Sequence, residues 1–144
     1  MLDTGVLIRA LGHRPSDPQG AVCRRLFDST IKAGHHVLVA APSVTEIMRW
    51  AKHPVDAVIP CIQQVMVVSL DYQAAALAGS ALPMAALKAL SADLGRSLTC
   101  LKFDALIVGC ALRAKADTLV TLDQAMRRKF TQVVPMATPD ELLS

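Results

Sequence analysis

Aromatic residues are scarce: one Trp, one Tyr and three Phe make up 3% of the 144 residues, although 53% are hydrophobic. The core must therefore be aliphatic, and stacking on aromatic rings is excluded as the main mode of recognition. Long apolar runs are absent as well. Arg, Lys, Asp, Pro or Gly interrupts every stretch before it reaches the roughly 18–20 residues of a membrane span. No charged leader, apolar signal core or small-residue cleavage site precedes the strand-like opening at Met1, so the reading expects a soluble, cytoplasmic protein. Cys23, Cys61, Cys100 and Cys110 lack the close paired spacing of zinc sites and redox dithiols. They read as small buried hydrophobes in a chain that needs no disulfide.

What is present fits one domain spanning residues 1–144, with neither repeats nor low-complexity tracts. Thr4 to Leu11 reads as a helix, followed by a Gly/Pro/Asp-rich loop and a second helix over Ala21 to Lys32. Gly34 stops it, and His36 to Ala41 is apolar enough for a buried parallel strand. Pro42 and Ser43 open the next helix, and Pro54 and Pro60 break the chain after it. Val65 to Leu70 reads as another buried strand, Asp71 as the cap of an alanine-rich helix, and Pro83 as the break before a further helix. A long helix over Leu98 to Lys115, a strand over Asp117 to Leu122, a helical turn over Gln124 to Lys129 and a strand over Gln132 to Met136 complete the chain. This alternation predicts a three-layer α/β/α fold around a central, mostly parallel sheet.

Four acids carry the chemical signal. Asp3, Glu46 and Asp123 stand where apolar strands end or helices begin, and Asp104 interrupts a helical stripe whose other members are Ile107, Val108 and Ala111. Parallel strands gather their carboxyl ends along one edge, which brings such residues together from distant parts of the chain. Clustered carboxylates repel unless some are protonated or a cation neutralises them, and a hard divalent ion with oxygen ligands does the latter. Each acid also has a structural reading: Asp3 and Asp123 as helix caps, and Glu46 as the last member of a Ser43–Glu46 capping box or a partner of Arg49. Asp104 is harder to place, because a carboxylate in an apolar stripe is costly to bury alone. Lys102 or the amides of the early helix are its local candidates.

At these residues the sequence resembles PIN domains, and most closely the VapC-type ribonuclease toxins of toxin–antitoxin pairs. The four blocks occur in the family's order: Leu2-Asp3-Thr4, Pro42-Ser43-Val44-Thr45-Glu46, Phe103-Asp104-Ala105 and Leu119-Val120-Thr121-Leu122-Asp123. Two features depart from the pattern. Gly5 stands where Asn or Ser is usual, and only Met1 and Leu2 precede the first acid. The resemblance implies a single PIN-like domain over residues 1–144 that cleaves RNA with Mg²⁺ or Mn²⁺. Asp3, Glu46, Asp104 and Asp123 would form the catalytic cluster, with the metal on Asp3, Asp104 and Asp123. Thr4 and Thr121 are candidate supporting hydroxyls.

With a net charge of +3 and several acids gathered together, the remaining surface is basic enough to accept a polyanion. Lys102, Arg96, Arg127 and Arg128, with Lys129, are the candidates for RNA phosphates. The resemblance further implies a cognate antitoxin and a homodimer, with Trp50 near an antitoxin groove and the Met/Ala-rich Leu77 to Leu94 facing a second copy. His13, His35 and His36 have no motif around them. An aspartic protease shares the letters Leu-Asp-Thr-Gly but is all-β, and an aspartyl-phosphate enzyme wants an acid where Gly5 follows Asp3. The alternative that remains is a non-catalytic binding or scaffold protein with structural acids.

Overall fold

The computed structural model describes residues 1–12, 16–51 and 63–144, with Trp50 and Ala51 described by their backbone alone. His13, Pro54, Pro60, Cys61 and the Trp50 side chain thus lie outside the described residues. The elements run α1 (Thr4–Leu11), α2 (Pro18–Lys32), β1 (Leu38–Ala40), α3 (Ala41–Ala51), β2 (Met66–Val68), α4 (Tyr72–Ala81), α5 (Met84–Leu94), α6 (Leu98–Arg113), β3 (Leu119–Val120), α7 (Gln124–Phe130), β4 (Met136–Ala137) and α8 (Pro139–Leu143).

The expected three-layer α/β/α architecture with a central sheet is corrected by this structure, in which helix makes up 63% and strand 9%. Among the described residues, extended structure amounts to two two-stranded ladders, β1–β2 and β3–β4, each strand two or three residues long. The parallel sense did follow the prediction. The reason for the shortfall lies in the strand segments, where the apolar runs give way at once to helix starters. Ala41 begins α3 directly after β1, and Asp123 caps α7 three residues beyond Val120. β2 is also less buried than its sequence suggests, with Met66 54% and Val67 44% exposed. Leu2 makes single parallel bridges to Val39 and Val120 and so stands between the two ladders.

Two hydrophobic clusters hold the helices in place. One joins Val6, Leu7, Phe27, Val39 and Ile47 with Leu2 and Val120. The other joins Ala74, Ala78, Ile107, Val108 and Phe130 with Met1, Ala40 and Leu119. Neighbours in the extended segments thus serve opposite clusters, as the two-residue period of a strand requires. Each fully buried Leu, Ile or Phe contributes roughly 1.5–3 kcal/mol, so this aliphatic packing is the main stabilising term. Gly109 lets α6 approach α4 closely, since a Cβ there would run into the Ala74 carbonyl and lie 2.8 Å from the Ala78 Cβ.

Asp71 caps its helix as expected, accepting a hydrogen bond from the Ala74 amide at 2.8 Å; Ser97, which the sequence reading did not single out, accepts from the Cys100 amide at 3.2 Å. The capping box, however, is Thr138 with Glu141 at the start of α8, a helix the sequence reading did not separate. Ser43 lies inside α3, with its hydroxyl buried and without a partner among the described residues. Of the described cysteines, Cys23 and Cys110 are buried, and burial pushes both thiols up; Cys100 is exposed, against expectation. Among the described residues no single helix is long and apolar enough to cross a membrane, although α4 and α5, bent by 60° at Leu82-Pro83, pass that test as a pair.

Candidate functional site

Because the short strands run parallel, the chain leaves Leu2, β1 and β3 at the same end. Backbone bonds fix the first of these exits: the Asp3 amide donates to the Val120 carbonyl at 2.9 Å, and the Leu2 amide to the Leu38 carbonyl at 2.9 Å. Asp3 is consequently placed beside Thr121, which is fully buried.

The oxygens of Asp3 are divided between two tasks. Oδ1 accepts from the Thr4 amide at 2.8 Å and caps α1, while Oδ2 accepts from the Thr121 hydroxyl at 2.8 Å. Thr121 Oγ1 in turn accepts from the Asp123 amide at 3.0 Å, which ties the fourth acidic block to the first. Asp123 repeats the division, its Oδ1 capping α7 through the Met126 amide at 3.0 Å and its Oδ2 accepting from Arg96 at 2.8 Å. Capping and clustering are therefore compatible, since a carboxylate has an oxygen for each.

Asp104 enters from α6, with its side chain 17% exposed and Ile107, Val108 and Ala111 buried on its face. Neither Lys102 nor the helix start compensates it; Arg96 does, with Nη1 3.3 Å from Asp104 Oδ2. The same nitrogen serves Asp123, so one guanidinium spans two acids. Glu46 lies partly buried on α3 and, among the described residues, forms no ion pair with Arg49.

Electrostatics identify these acids as one group. Burial, reinforced by Asp123, Asp3 and Glu46, pushes the Asp104 carboxyl up to about 7, despite the opposing pull of Arg96. Burial also raises Asp3, with the hydrogen bonds from Thr121 and Thr4 opposing and the charges of Asp123 and Glu46 adding to it. For Arg96 burial acts downward, but Asp104 and Asp123 together outweigh it and hold the guanidinium above its ordinary range.

The oxygen donors suit a hard divalent cation in chemical type. Among the described residues, however, no three His, Cys, Asp or Glu side chains stand close enough together to hold an ion. The positive charge at Asp104 and Asp123 comes from Arg96 instead. Sequence reasoning had placed Arg96 among the phosphate contacts, and the signal for its position is the Gly95-Arg96-Ser97 turn immediately before the helix that carries Asp104.

The other expected residues separate into two groups. Thr121 joins the acids, and Thr4 lies buried next to Asp3 with its hydroxyl unpartnered among the described residues. Arg127 is drawn away by Glu141, whose two oxygens each accept from Nη2 at 2.9 Å. Lys102 and Arg128 are exposed. No protein-family model and no curated protein matches the chain.

Proposed function

We propose that this chain is a divalent-cation-dependent endoribonuclease, acting at Asp3, Glu46, Asp104 and Asp123, and the toxin of a toxin–antitoxin pair. The observation that carries the reading is that four acids from separate elements are close enough to act on one another's charge around Asp104, whose carboxyl is pushed up to about 7 by burial first and by Asp123, Asp3 and Glu46 in addition. A purely structural role needs no such concentration of charge, since Ser or Asn caps helices as well as Asp does.

Asp3, Asp104 and Asp123 would hold the ion only by closing on it, since among the described residues no three such side chains stand close enough together to hold one. A bound Mg²⁺ or Mn²⁺ supplies an acidified water and offsets charge on the leaving oxygen of a phosphodiester. Thr121 orients the carboxylate of Asp3 by occupying Oδ2 from the buried side. Glu46 adds negative charge that strengthens cation binding. Of the basic candidates, Lys102, Arg128 and Lys129 form no ion pair among the described residues and are left for RNA phosphates. Antitoxin pairing and a homodimer belong to the same proposal and rest on the resemblance to VapC-type toxins. The exposure of Leu77 and Met84 on α4 and α5 supports a contact with a second copy.

A second reading has an observation of its own. Arg96 already neutralises Asp104 and Asp123, as it would in a non-catalytic binding protein with a structural ion triad. Incubating the purified protein with total bacterial RNA and Mg²⁺ or Mn²⁺ separates the two. Discrete fragments that disappear with EDTA and with Asp104→Asn support the nuclease; intact RNA under all conditions supports the binding protein.

A further inference from the structure

We infer that a slot between the starts of β1 and β3 receives an extended peptide segment of a partner protein, apolar in its middle and acidic at its flanks, as an added strand. The slot lies at the end of the strands opposite the acids: His36 and Val37 before β1 line it, as do Asp117 and Thr118 before β3. Asp3, Glu46, Asp104 and Asp123 take no part in the lining, so the inference is independent of the nuclease reading.

Backbone groups define the occupant as a strand. The Val37 carbonyl accepts from the Met66 amide of β2 at 2.8 Å, and the Leu38 carbonyl, on the opposite side, from the Leu2 amide at 2.9 Å. The N–H and C=O of one extended residue share a side, so the Leu38 amide also points away from β2 and into the slot. On the far wall the Leu119 amide donates to the Pro135 carbonyl at 2.9 Å, while the Thr118 carbonyl accepts from the Met1 nitrogen at 2.6 Å, which turns the Thr118 amide into the slot as well. Neither amide has a hydrogen-bond partner among the described residues. Leu2 bridges both Val39 and Val120, which sets the walls two strand spacings apart, roughly 9–10 Å, the room for a single added strand.

The lining sets the chemistry of the segment. The cavity measures about 660 Å³, with Leu26, Val37, Val120 and Leu142 among its apolar residues and the exposed His35, His36 and Lys115 outnumbering Asp117. Helices α2 and α6 place the basic groups by the same kind of ending. After α2 the Gly34 amide donates to the Ile31 carbonyl and the His35 amide to the Thr30 carbonyl; after α6 the Lys115 amide donates to Leu112 and the Ala116 amide to Ala111. Each ending requires a left-handed residue, at φ 77° for Gly34 and φ 51° for Lys115. Glycine takes that conformation freely and lysine does not, so a cation stands beside the slot where the turn itself favours glycine. Main-chain pairing would give the affinity, and this charge the choice of partner.

Amide hydrogen exchange followed by NMR on the full chain tests this, with a synthetic Val/Ile peptide flanked by glutamates as the probe. The peptide should slow exchange at Leu38 and Thr118 roughly tenfold or more, and its N-methylated form, which cannot lie between two strands, should not. Flanking the peptide with lysines, or replacing Lys115→Glu in the protein, should weaken binding roughly tenfold. Exchange at the two amides that no peptide alters overturns the inference. Protection of both before any peptide is added overturns it too, since a segment of this chain then fills the slot; protection that rises with protein concentration alone does the same and marks a second copy. Equal binding of the N-methylated peptide overturns the added strand, and equal binding of the lysine-flanked peptide overturns the acidic partner. Both peptide comparisons use the wild type and decide the matter even where Lys115→Glu fails to fold.

Discussion

Thr121 and Asp3, 118 positions apart in sequence, share a 2.8 Å hydrogen bond in which the threonine hydroxyl donates to Asp3 Oδ2. The same hydroxyl accepts from the Asp123 amide, so one buried side chain sets the relative position of two acids. Replacing Thr121 by Val preserves its shape and removes both bonds. The expected cost is about 1–3 kcal/mol in a urea unfolding titration, because a buried carboxylate oxygen and an amide both lose a partner. Thr121→Ser should recover most of the loss. A Val variant as stable as the wild type would mean that Asp3 is held by its backbone alone.

Asp104 predicts an unusual pH dependence. Its folded-state value of about 7 lies above the ordinary 3.8, so the folded protein binds this proton more tightly than the unfolded chain does. Stability therefore falls as pH rises from about 4 to about 7 and changes no further outside that window from this cause, by a few kcal/mol at most. Asp3 acts in the same direction. The exposed Asp71 and Glu141, both held low by backbone amide bonds and arginine partners, act the other way at the acid end. Thermal melts in EDTA should thus show greatest stability in weakly acid buffer, near about pH 5, and Mg²⁺ should flatten the decline towards neutrality.

Asp104→Asn removes the ionised form altogether. At pH 8 the variant should be more stable than the wild type by about 1–3 kcal/mol, with the difference vanishing near pH 4, while RNA cleavage is lost. Gain of stability with loss of activity is the signature of a residue retained for chemistry. A variant less stable at both pH values would instead make Asp104 a structural partner of Arg96.

Two glycines should respond in opposite ways to Ala. Gly109→Ala forces α4 and α6 apart, since the clash is with the Ala74 backbone carbonyl, and should cost roughly 1–3 kcal/mol or more. Gly5→Ala meets only Asp3 Oδ2, at 4.0 Å, in an exposed first turn of α1. Restricting the unfolded chain there should add roughly 0.5–1 kcal/mol. Chemical denaturation of the two variants side by side measures both.

The sequence by itself determined what depends on near neighbours. Asp3, Asp71 and Asp123 cap helices because each carboxylate reaches an amide within three residues, and α1 has the predicted limits Thr4–Leu11. Competition between neighbouring signals already exceeded that reach at Ser43–Glu46, where the helix starts early enough to leave the box motif inside it. The extent of the sheet was decided by the tertiary structure, because an apolar run does not reveal whether it ends in a ladder bond or in the first turn of a helix. So was the counter-charge of Asp104. Lys102 is two residues away and points to solvent, whereas Arg96 reaches both Asp104 and Asp123 across 8 and 27 positions. An ion pair forms where the fold brings charges within a few ångströms out of water, and separation along the chain carries no information about that distance.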